Sequence, residues 1–155
     1  MKKINFIVLM VTLMIFAITG LNAQNQKATD IEGVWLNEDT DAHVEIYKID
    51  GKYFGKIIWL RDPIDEETGK PKKDKNNPDE SLQDQLTLGL KILNDFVFDG
   101  DDEWEDGTIY DPKNGKTYSC YIKFEDENNL NKLKIRGYIG ISWFGRTTYW
   151  TRVGE

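Results

Sequence analysis

Beyond residue 30 the chain alternates short apolar and aromatic runs with turn residues, and this pattern predicts eight strands. The runs are Gly33–Asn37, Ala42–Ile49, Lys52–Leu60, Lys91–Phe98, Glu103–Tyr110, Lys116–Phe124, Leu130–Tyr138 and Trp143–Val153. Asp50-Gly51 between the second and third is the two-residue signature of a type I′ hairpin. Nearly every connection is too short for a helical crossover, so the strands form an antiparallel meander. Such a meander removes its exposed edges most simply by closing, and the expected fold is an all-β, eight-stranded antiparallel up-and-down barrel.

One hairpin is specified tightly enough to assign faces. In Tyr110-Asp111-Pro112-Lys113-Asn114-Gly115-Lys116, Pro112 presets the first turn position and Gly115 supplies the positive φ that returns the chain. Asp111 then lies opposite Lys116 and Ile109 opposite Tyr118. Counting by twos, Tyr118, Cys120, Ile122 and Phe124 share the inward face. Cys120 is the single cysteine, so no intrachain disulfide can form, and a buried core thiol is the expected role.

Two segments break the pattern. Met1–Ala23 has a positive start at Lys2-Lys3, an apolar stretch from Ile4 to Gly20 and a small residue at its end, as a secretory signal peptide does. The competing reading is an uncleaved membrane anchor; cleavage predicts an exported protein, periplasmic or secreted, with no stable membrane span. A linker over residues 24–30 and a single barrel domain over residues 31–153 follow. The other exception is Arg61–Leu90, a polar stretch expected to be one long loop. Asn77 as N-cap and Pro78 at the first helical position predict a short helix through about Gln85 within it. Loops of this length are often lids, and one that merely covers a barrel mouth is the other reading.

The chain has 27 acidic and 20 basic residues, and removing Met1–Ala23 with its two lysines takes the net charge from −7 to −9. Nucleic acid is therefore not an expected partner, since binding it needs a basic footprint. His43 has no second histidine at zinc spacing. Asp99–Gly107 is rich in carboxylates, but its glycine falls one place late for a calcium loop. No metal or other cofactor is expected. Nucleophile elbow, P-loop and dinucleotide fingerprints are absent from the sequence, and an enzyme is not expected.

Gly33-Val34-Trp35, Asn77-Pro78-Asp79, Leu88-Gly89-Leu90-Lys91-Ile92-Leu93, Tyr110–Tyr118 and the closing Trp150-Thr151-Arg152 occur in an order that resembles a bacterial exported family, domain of unknown function 2147. The resemblance spans about residues 31–153. It implies a lipocalin-like barrel with no established activity. The Gly-x-Trp start and terminal Arg also resemble the wider lipocalin superfamily, which implies that Trp35 and Arg152 stack across the closed barrel end. The chain differs from a typical lipocalin in lacking a disulfide and in carrying the long mid-chain insertion.

An eight-stranded barrel is either filled by its own side chains or holds one small ligand. The first alternative makes the protein an envelope interaction or structural protein. The second makes it a binder of a small apolar or amphipathic molecule, with Tyr118, Phe124 and Trp150 as candidate wall residues. Inward aromatics also serve simply as core.

Overall fold

The computed structural model describes residues 26–154, so the expected signal segment Met1–Ala23 lies outside the described residues. The strands are β1 (Gly33–Leu36), β2 (Ala42–Ile49), β3 (Lys52–Leu60), β4 (Lys91–Phe98), β5 (Glu103–Asp111), β6 (Lys116–Asp126), β7 (Asn129–Tyr138) and β8 (Gly145–Arg152). Each pairs antiparallel with its neighbour in sequence, and β8 returns to β1 through Trp35–Arg152 and Leu36–Thr151, closing the barrel.

Local chemistry sets the register. Asp50 and Gly51 both have positive φ, as a type I′ turn requires. Ile109 pairs with Tyr118 and Asp111 with Lys116, which turns Cys120, Ile122 and Phe124 into the core. Burial pushes the Cys120 thiol's pKa well up, so it stays protonated and unreactive. On β4 the register slips where Asp95 adopts positive φ, and this bulge sends both Leu93 and Phe96 inward, three residues apart.

The up-and-down order places the connections after β2, β4 and β6 at one end and those after β1, β3, β5 and β7 at the other. The first end is closed by aromatic packing. Trp104 meets Phe124 edge to face at 5.8 Å and Tyr53 at 6.3 Å, and Trp35 lies 6.3 Å from Phe124. The segment from Gln26 to Ile31, whose first five residues belong to the expected linker, packs across this end: Ile31 is buried, Trp35 Nε1 donates to its carbonyl, and Trp104 Nε1 donates to Ala28 O. The indole donors need acceptors once buried, and this segment supplies them.

At the other end the stretch between β3 and β4 folds over the mouth as a structured lid. Its helix is shorter than expected, a single 3-10 turn at Glu80–Leu82 capped by Asp79, whose side chain accepts from Ser81 N. Asn77 is occupied elsewhere, accepting from Asp79 N and donating to Asp74. Strand β8 also starts later than expected. Trp143 belongs to a 3-10 turn, Ser142–Phe144, in the loop before it.

Candidate functional site

Above the aromatic layer the barrel is not filled. A cavity of about 590 Å³ opens at the lidded end. Its apolar walls include Val44, Ile57, Ile92, Ile109, Ile135 and Trp150, drawn from β2 through β8, while Thr148 and Tyr118 add hydroxyls. The sequence candidates separate here. Tyr118 and Trp150 line the cavity; Phe124 does not, because it lies in the closed end against Trp35 and Trp104. Strand β6 starts at the mouth, and the six-residue step from Tyr118 to Phe124 carries the chain roughly 20 Å along the tilted strand toward the closed end. They share a face but not a depth.

The rim is charged. Glu38, Asp39 and Asp41 come from the β1–β2 connection, Lys72, Lys73 and Lys75 from the lid, Lys113 from the β5–β6 turn and Arg146 from the start of β8. Lys113 Nζ bridges Asp39 at 2.6 Å and Asp41 at 2.9 Å, tying two connections together across the rim. Desolvation pulls the Lys113 ammonium's pKa down, but the bonds to both carboxylates together outweigh it and leave it raised. Burial likewise pushes Asp41 up, and bonds from Asn37 and Lys113 overcome this and hold it lowered. Lys113 and Asp41 are thus both held in their charged forms at neutral pH.

The lid is pinned by groups that no local motif announces. Asp74 is fully buried, accepting from Tyr110 OH at 2.7 Å and Asn77 Nδ2 at 2.7 Å. Beside it, Asn76 Nδ2 donates to the carbonyls of Pro112 and Lys113. Gly115, at φ 70°, lets this approach happen, since a Cβ there would stand 1.9 Å from Asn76 O. Desolvation and the bond to Asp74 push the Tyr110 phenol up to about 12.

At the closed end the Arg152 guanidinium stands 4.1 Å from the Trp35 ring centre and donates to the carbonyls of Leu130, Glu32 and Asp30. His43 lies on the outer wall, its ring 4.4 Å from that of Trp59.

A closed eight-stranded barrel, plugged at one end and hollow at the other, is a lipocalin-like architecture. The fold agrees with that of a solved structure described as "Protein HP1028 from the human pathogen Helicobacter pylori belongs to the lipocalin family", at a TM-score of 0.68 and 25% identity over 81% of this chain and 84% of that one. Residues 33–152 match the family described as "Uncharacterized protein conserved in bacteria (DUF2147)", and the chain belongs to that family. No curated protein matches it.

Proposed function

We propose that this protein is an exported carrier or sensor that holds one small apolar or amphipathic molecule in the mouth cavity. The observation that carries this reading is the cavity itself, about 590 Å³ in volume, with apolar walls below a charged rim. That volume is typical of small-molecule sites, and the division between wall and rim suits a ligand with an apolar body and a polar end. Lys72 and Arg146 are candidates to meet a negative end group, since both line the cavity.

A fluorescent amphipathic probe such as anilinonaphthalene sulfonate should bind saturably with one-to-one stoichiometry and quench tryptophan emission. Truncating Trp150 to alanine should weaken it by about tenfold through lost apolar contact. Absence of saturable binding, together with no small molecule carried through purification under native mass spectrometry, would overturn the proposal.

Export is tested separately. Protein recovered from the periplasm or medium should have the intact mass of a chain beginning at Gln24. Full-length protein confined to the membrane fraction is the opposing result.

A further inference from the structure

The four most exposed large apolar side chains among the described residues all lie in the loop joining β7 to β8: Ile139 at 67%, Ile141 at 60%, Trp143 at 87% and Phe144 at 79%. Scattered exposed hydrophobics are ordinary, but four at one tip mark a surface that meets something apolar. The tip is also held in place. Arg136 Nε donates to Ser142 O at 2.8 Å, Nη2 to Trp143 O at 3.2 Å and Nη1 to Thr147 Oγ1 at 2.9 Å. Trp143 and Phe144 are therefore presented outward, while two carbonyls that would resist leaving water already have donors.

Charge narrows the partner. The chain carries a net charge of −7, yet residues 134–147, the tip and the strand ends beside it, contain no acid and three basic residues, Lys134, Arg136 and Arg146. Arg136 and Arg146 flank the apolar tip, and among the described residues neither enters an ion pair. An aromatic apex with cations behind it is the arrangement that enters a lipid interface, the indole at headgroup depth and the guanidinium groups against phosphate. A folded protein partner is a poorer match. Standard interfaces bury roughly 800 Å² on each side, more than a short projecting tip can offer.

We propose that the β7–β8 tip docks the open end of the barrel onto an anionic phospholipid surface. Ile139 and Phe144 also line the cavity, so docking would bring its apolar wall into continuity with the lipid. Because Glu38, Asp39 and Asp41 occupy the β1–β2 part of the rim, the barrel approaches with its β7–β8 edge leading. The inference stands whether or not the cavity holds a ligand.

The protein as recovered from cells, with its N-terminus read by intact mass, is mixed with vesicles of phosphatidylethanolamine and phosphatidylglycerol at a ratio of about three to one, an anionic surface. Wild type should float with the vesicles, and brominated acyl chains should quench its tryptophan emission. The double variant Trp143→Ser/Phe144→Ser should partition about tenfold less or lower and lose that quenching, because the apolar anchor is gone. Trp59→Ser, an exposed aromatic on the outer wall, should bind as wild type does. Phosphatidylcholine vesicles should bind several times more weakly, and equal binding would overturn the anionic commitment. Wild type that stays in solution, a double variant that binds undiminished, or a concentration-dependent dimer that the double variant dissolves would each overturn the docking proposal.

Discussion

Replacing Arg152 with alanine is expected to lower stability by about 3 kcal/mol, or roughly 10 °C in melting temperature for a domain of this size. The β1–β8 seam is short, with Trp35–Arg152 and Leu36–Thr151 in register and Val153 N donating to Val34 O just beyond. Across it one guanidinium collects the carbonyls of Leu130, Glu32 and Asp30 and lies over Trp35. Truncation leaves three half-buried acceptors without donors, each bond to a charged group being worth about 1.5–3 kcal/mol when fully made, and removes a cation–π contact of about 0.5–2 kcal/mol. Partial exposure and the entry of water reduce that sum to the figure expected. Arg152→Lys should recover less than half, because an ammonium lacks the planar fork that reaches three carbonyls together. Arg61→Ala is the control. Its ion pair with Asp62 is exposed on both sides, and a change within about 0.5 kcal/mol is expected. Equal losses in thermal denaturation for Arg152→Ala and Arg61→Ala would refute the role given to the seam.

The strands were legible because a half-buried strand has a period of two and because turn chemistry is local. Asp50-Gly51 and Pro112–Gly115 set their hairpins with residues inside the turn itself. Depth along the barrel axis has no such signature. Tyr118 and Phe124 look alike by alternation, and only the aromatic cluster of Trp35 on β1 and Trp104 on β5, held by the N-terminal segment, shows which end is full. The anchoring of the lid is illegible in the sequence for a related reason. Nothing in the polar run Arg61–Leu90 marks one carboxylate out from the others, yet a partner 36 residues away makes Asp74 part of the interior. The strong capping residues around Asn77 are spent on turns and on Asp74, which stops the helix at one turn. The apolar run Trp143–Val153 places Trp143 on a strand, whereas Arg136, a residue on the preceding strand, ties down the carbonyls of its loop.

Asp74→Ala is expected to free the lid, speeding tryptic cleavage after Lys72, Lys73 or Lys75 by roughly thirtyfold or more. Deleting a buried carboxylate that satisfies two half-buried donors, Tyr110 OH and Asn77 Nδ2, costs about 2–3 kcal/mol. The loss should appear first in local opening, since the lid packs on the mouth while the strand ladder continues beneath it. Tyr110→Phe removes one of the two donors and should produce a smaller acceleration in the same assay. The phenol also gives the pin a dependence on pH. Its folded-state pKa is about 12, above the ordinary value of 10.0, because desolvation and Asp74 both disfavour the tyrosinate. The stability it contributes is therefore complete below about pH 10 and declines as pH rises through about 12. In a near-ultraviolet alkaline titration, Tyr110→Phe should lose a tyrosinate step near pH 12, and Asp74→Ala should move that step to lower pH. A lid that resists trypsin equally in wild type and Asp74→Ala would show that Asn76, through its bonds to Pro112 and Lys113, holds the mouth closed without the buried carboxylate.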